Sequence, residues 1–173
     1  MAKIRLLVVD DSAFMRKAIE NMVKKDPEIE IVGTGKNGLD AIEMVKTLKP
    51  DVLTLDIEMP RMDGLTALQK IMAENPLPVI MVSSLTTEGA DATLKALEMG
   101  AVDFIPKDKS FASFGVMKIE DQLIAKIKDF SRRKTFFRRP ILPKTTAARP
   151  TAPAAPTIRR PAPKITSKKK MVI

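Results

Sequence analysis

Along the first 130 residues, short apolar runs alternate with segments in which apolar side chains recur every three to four positions, in the order strand, helix, strand, helix, five times over. The runs at 4–9, 29–34, 51–56, 78–83 and 101–105 are aliphatic or β-branched at nearly every position. Strands buried on both faces read this way, and regular alternation with helices implies a parallel sheet covered on both sides. The expected class is α/β, a doubly wound five-stranded parallel sheet with strand order 2-1-3-4-5.

Start and stop signals sharpen the helices. Ser12 is a natural N-cap before 13–25, Asn37 before 38–48, and Gly100 closes 88–99. Pro27, Pro50 and Pro76 fall in connections. In the last helix, near 116–130, Ile119, Leu123, Ile127 and Phe130 form one stripe, with Lys118, Asp121, Lys126 and Lys128 elsewhere, so this helix packs on the sheet and ends the domain.

Beyond it the pattern changes. Seven of the 13 prolines lie in 140–163, among Ala, Thr and Arg, with little to build a core. Thirteen of the 30 Lys and Arg residues and none of the 21 acids lie in 131–173. The net charge of +9 therefore belongs to the tail, and residues 1–130 are mildly acidic. The expected organisation is a domain at 1–130 followed by a basic, proline-rich tail at 131–173, extended or disordered.

Composition narrows the chemistry. With no Cys and no His, the chain offers no disulfide, no thiolate or imidazole metal ligand and no Ser-His-Asp triad. The run at 4–9 is too short for a secretory signal core and is broken by Arg5, and nothing approaches the ~20 apolar residues of a spanning helix. The expected setting is soluble and cytoplasmic, and the chemistry must rest on carboxylates, hydroxyls and amines.

Those groups gather at one edge. Asp10 and Asp11 end the first strand and Asp56 the third, and in order 2-1-3-4-5 these strands are neighbours whose carboxyl ends share the ligand-binding edge. Ser83 ends the fourth strand and Lys107 follows the fifth. Three close acids repel unless a cation relieves them, and an all-oxygen set suits a hard ion such as Mg²⁺. Phosphoryl transfer needs an in-line nucleophile and positive charge on the equatorial oxygens, which Asp56, Mg²⁺ on Asp10 and Asp11, and Lys107 would supply. Taken singly, each residue has an ordinary explanation: Asp11 or Ser12 as a helix cap, Lys107 as a surface lysine. Their joint placement at four strand ends argues for function.

These residues resemble the bacterial receiver family of two-component signalling: Val-Val-Asp10-Asp11-Ser12, then Leu-Thr-Leu-Asp56-Ile-Glu-Met-Pro60-Arg-Met-Asp-Gly64, then Ser83 and Lys107. More narrowly, Asp11-Ser-Ala-Phe-Met-Arg-Lys, Met81-Val-Ser-Ser-Leu-Thr-Thr-Glu-Gly and Gly100-Ala-Val-Asp-Phe-Ile-Pro-Lys107 are similar to the regulatory half of the chemotaxis protein-glutamate methylesterases. The resemblance implies Asp56 as phosphoacceptor, Asp11 as direct Mg²⁺ ligand, Asp10 acting through water and the backbone carbonyl of Glu58 as a further ligand. It implies Ser83 and Phe104 as switch residues, a core role for Phe104 being the ordinary alternative, with Glu58 and Leu85 flanking the site of water attack. A histidine kinase would supply the phosphoryl group, and a methylesterase effector domain or chemoreceptor-associated proteins would receive the signal.

Two departures stand out. The family usually has proline directly after the active-site lysine, often with a cis bond between them, whereas here Pro106 precedes Lys107 and Asp108 follows, implying either a trans, slightly rearranged loop or a retained, strained cis bond. The tail lacks the histidine and acid of an esterase, so the chain is expected not to be an enzyme by itself, whether as a stand-alone receiver, a truncated product or a fragment.

Two competing readings carry different functions. Gly33-Thr-Gly35-Lys-Asn-Gly38 fits the G-x-G-x-x-G dinucleotide fingerprint between a strand and a helix, but leaves Asp10, Asp11, Ser83 and Lys107 unexplained and follows a complete earlier β-α unit. The basic tail could bind nucleic acid or an anionic membrane, against the simpler role of a solvated linker holding two domains apart.

Overall fold

The computed structural model describes residues 2–84, 86–107 and 116–133, with side chains of the last segment from Ile119 onward. Leu85, Asp108 and the tail from 134 lie outside the described residues. Ten elements follow in order: β1 Ile4–Val9, α1 Ala13–Lys24, β2 Ile29–Gly35, α2 Gly38–Leu48, β3 Val52–Asp56, α3 Gly64–Glu74, β4 Val79–Ser84, α4 Thr87–Glu98, β5 Asp103–Lys107 and α5 Val116–Arg132. The five strands form one parallel sheet in the order β2-β1-β3-β4-β5.

The period of two along the strands divides the core. Leu6, Val8, Val52, Ile80, Val82 and Ile105 face α1 and α5, meeting Met15, Ile19, Met22, Leu123 and Ile127. Leu7, Val9, Leu53, Leu55, Val79 and Met81 face the other way, onto Ala41, Val45, Leu68, Ile71 and Ala96 of α2, α3 and α4. Consecutive residues are thus apolar because both faces are covered. Ion pairs also tie α5 down: Glu120 with Lys25, Lys126 with Asp103, and Lys128 with Asp26 and Glu28.

Caps fix where helices begin. The Ser12 hydroxyl accepts from the Met15 N–H at 3.3 Å, and the Asn37 side-chain Oδ1 accepts from Asp40 N–H at 2.9 Å, as expected. Asp63 and Thr86 do the same for α3 and α4. Gly100 has φ +112°, the left-handed region that ends α4 cheaply for glycine alone.

One expectation is corrected and two of the alternative readings fall away. The fifth strand is not 101–105 but Asp103–Lys107, because the Ala101 N–H bonds back to Ala96 O in the turn closing α4. Lys107 is therefore the last residue of the strand and not the residue after it, and Pro106 is tolerated because β5 is an edge strand. Phe104 is no core residue: it is 40% exposed. The glycine fingerprint is a packing device. A Cβ on Gly33 would meet Met44 at 2.6 Å, on Gly35 Asp40 at 3.0 Å, and on Gly38 Met62 at 2.7 Å. The donors a phosphate would need at the start of α2 are taken, Asp40 N–H by Asn37 and Lys36 N–H by the Asp40 carboxylate.

Candidate functional site

β1 and β3 are adjacent, with Val9 opposite Leu55, so Asp10 and Asp56 leave the sheet side by side at its carboxyl edge. One carboxylate oxygen each from Asp10, Asp11 and Asp56 lies within 4.8 Å of the others. Asp10 and Asp56 are buried while Asp11 is exposed, so the cluster opens to solvent on one side only.

Local hydrogen bonds aim the two buried acids. Asp10 Oδ1 accepts from Ser12 N–H at 2.9 Å, Asp10 N–H donates to Gly35 O, and Asp56 Oδ1 accepts from Glu58 N–H at 3.3 Å. That leaves Asp10 Oδ2 and Asp56 Oδ2, which are buried without an aligned hydrogen-bond donor. Lys107 Nζ reaches both, at 3.1 Å and 2.8 Å, as a shared ion pair. β4 lies between, pairing Asp56 with Val82 on one side and Ser84 with Lys107 on the other.

The charges do not balance: one ammonium faces three carboxylates. Burial raises the Asp56 carboxyl to about 7 against the contact with Lys107, and the neighbouring Asp10 charge pushes the same way. Asp10 is likewise raised, by burial first, against the Ser12 N–H and Lys107. Burial pulls Lys107 down, but Asp56 and then Asp10 outweigh it and hold the ammonium above its ordinary value. Two buried oxygens that share a single ammonium, beside a third, solvent-facing carboxylate, form an all-oxygen donor set with excess negative charge, which fits a hard divalent cation. Receiver-type Mg²⁺ chemistry is thus compatible with the residues present.

The remaining expected residues surround this cluster. Glu58 is exposed and lines a shallow depression with Asp11, Met59, Pro60, Asp63 and Leu65. Ser83 is buried at the end of β4, one residue past the partner of Asp56, but its hydroxyl donates to Gly89 O of α4 at 3.0 Å. Phe104 and Pro106 line an apolar groove beside Ser83, opposite Leu94 and Leu97 of α4. Sequence reasoning missed the packing role of two glycines that end the quoted motifs and bring the loops close: a Cβ on Gly64 would overlap Asp56 O, and one on Gly89 would overlap Ser84 O. The only sequence signal was glycine itself, at the start of a helix.

The model of the response regulator receiver domain matches residues 6–114. The chain belongs to that family. This receiver domain is 58% identical, over 154 residues, to protein-glutamate methylesterase/protein-glutamine glutaminase 1 of Oleidesulfovibrio alaskensis, covering 88% of this chain and 41% of that protein. The chain spans about two fifths of the length of the curated relatives it matches. Among solved structures, the response regulator domain of Thermotoga maritima CheB matches with a TM-score of 0.69 and 48% identity, over 75% of this chain and 97% of that one. The CheX–CheY–BeF₃–Mg²⁺ complex of Borrelia burgdorferi matches with a TM-score of 0.59 and 32% identity, over 71% and 90%. The receiver domain described here is therefore of the methylesterase type, consistent with chemotaxis two-component signalling. Among the described residues, no helix is long and apolar enough to cross a membrane.

Proposed function

We propose that this receiver domain accepts a phosphoryl group on Asp56 from a histidine kinase, with Mg²⁺ held by Asp10, Asp11, Asp56 and the Glu58 carbonyl, and thereby regulates a methylesterase effector or chemoreceptor-associated partner in the cytoplasm. The observation that carries the reading is the pair of buried oxygens on Asp10 and Asp56 that share Lys107 as their one cation among the described residues. The similar Borrelia complex, which contains BeF₃ and Mg²⁺, supports it by likeness.

When bound, Mg²⁺ supplies the positive charge that the acidic cluster lacks and that the phosphoryl oxygens require. The rest falls to the protein. The ionised Asp56 carboxylate attacks phosphorus, and an O–P bond forms as the P–N bond of the donor phosphohistidine breaks, the proton already on the other ring nitrogen letting neutral imidazole depart. Lys107 spans two carboxylates at rest, so its ammonium is already placed to follow negative charge onto the new acyl phosphate. Ser83 has one hydroxyl proton, donated to Gly89 O. Redirected as a hydrogen bond to a phosphoryl oxygen, it gives up that tie to α4 and alters the groove that Phe104 lines.

The test is treatment with acetyl phosphate and Mg²⁺, followed by intact-protein mass spectrometry of wild type and Asp56→Asn. The expected result is a Mg²⁺-dependent gain of one phosphoryl group, absent from the variant. No gain in wild type, together with no binding of beryllium fluoride, refutes the proposal.

A further inference from the structure

The β1–α1 turn contains a second cation, Arg16, which acts differently from Lys107. Its side chain is half-buried, and its Nη1 donates to the main-chain carbonyl of Asp10 at 2.7 Å, a short charge-assisted hydrogen bond. Among the described residues it makes no ion pair, although the residue whose carbonyl it holds belongs to the acidic cluster. The carbonyl it holds belongs to the peptide unit joining Asp10 to Asp11. That peptide plane sets how the two side chains diverge, one inward and one outward.

The other restraints on the turn fall on Asp10 and Ser12, on either side of Asp11. Gly35 O holds the Asp10 N–H and Ser12 N–H holds Asp10 Oδ1. Asp11 sits at a bend, exposed, with no ion pair among the described residues, yet its carboxylate comes within 4.8 Å of the buried pair. Arg16 is anchored on α1, where its own N–H bonds to Ser12 O, so the guanidinium is a strut from that helix to the peptide that links the two acids. A guanidinium spent on a carbonyl does not compete with a cation for carboxylate oxygens, as Lys107 does.

We infer that Arg16 is a positioning residue for the cation site, holding the Asp10–Asp11 peptide so that both carboxylates face one ion. The inference rests on the proposed Mg²⁺ reading and adds a residue that touches neither metal nor phosphoryl group. Partners that orient metal ligands commonly affect metal affinity about 10–100-fold; one acting through the backbone should sit at the low end.

The experiment is titration of the full chain with Mg²⁺ by calorimetry, for wild type, Arg16→Met and Arg16→Lys, with metal-free thermal unfolding in parallel. Met keeps the aliphatic packing and loses the donor, while Lys keeps a charged donor without the planar fork. The expected result is a Kd for Mg²⁺ roughly tenfold weaker in Arg16→Met, an intermediate value in Arg16→Lys, and metal-free melting little changed. Should wild type bind Mg²⁺ and Arg16→Met bind it within twofold, Arg16 is only structural and the inference fails while the proposed function stands. A lowered melting temperature with unchanged affinity counts against it in the same way. No Mg²⁺ binding by wild type defeats both.

Discussion

Asp56→Asn is expected to stabilise the metal-free domain, and to do so more at pH 8 than at pH 5. Asp56 is only 2% exposed, and its carboxyl is raised from 3.8 to about 7, chiefly by burial. The folded chain thus holds this proton more tightly than the unfolded chain. Below pH of about 4 both states are protonated and the group costs nothing. Between about 4 and 7 the unfolded chain ionises while the folded one does not, so stability falls as pH rises, and above about 7 the penalty is complete. At about 1.4 kcal/mol per pKa unit, the penalty is about 2 kcal/mol at pH 5 and about 4 kcal/mol at pH 8. The amide of Asn stands in for the protonated acid and recovers both, so the advantage of the variant should grow by about 2 kcal/mol over that range. With no Trp and no Tyr in the chain, urea unfolding is best followed by far-ultraviolet circular dichroism, in chelator. Mg²⁺ at a hundredfold its Kd should return about 3 kcal/mol to wild type and close most of the gap. A gap that stays constant from pH 5 to pH 8, or a variant less stable than wild type at pH 8, would refute the idea that burial of this carboxylate dominates the site.

Three further outcomes follow from the same contacts. Lys107→Met leaves Asp10 and Asp56 without their only cation among the described residues, so both carboxyls should rise further, and the metal-free variant should lose about 3 kcal/mol at pH 8, measured by urea titration. Gly64→Ala places a methyl group on Asp56 O; the displaced β3–α3 loop should cost about 1–3 kcal/mol and weaken Mg²⁺ binding in calorimetry, whereas an unperturbed affinity would show that the loop yields elsewhere. Ile127→Ala empties a fully buried position between α5 and the sheet and should cost about 2–5 kcal/mol in thermal or urea unfolding without altering Mg²⁺ affinity in the protein that remains folded.

Most of the fold and the placement of the acids were legible because they depend on properties each segment carries alone. Continuous aliphatic runs need cover on both faces, which forces parallel strands and helices between them, and the polar residues ending those runs then share an edge. Caps were legible where Ser12 and Asn37 stand directly before an apolar period, and not at Thr86, where the run Leu-Thr-Thr-Glu offers two equivalent hydroxyls. The fifth strand was misplaced by two residues because Ala101 and Val102 are as apolar as a strand, and only the bond from Ala101 N–H to Ala96 O assigns the former to the turn.

What no segment could show alone is which partner a polar group takes. Ser83 lies at the edge, where its place in the fourth apolar run puts it, but the direction of its hydroxyl depends on α4, which can approach only because residue 89 has no Cβ to strike Ser84 O. The Gly89 carbonyl also accepts from the Thr93 hydroxyl at 2.7 Å, so it keeps a donor when Ser83 turns away. Because a carbonyl that remains bonded costs little to leave, this contact lowers the cost of moving the Ser83 hydroxyl, as the proposed switch requires. The information lies in a glycine, a threonine and a serine on two elements, and it becomes readable only when those elements are packed together.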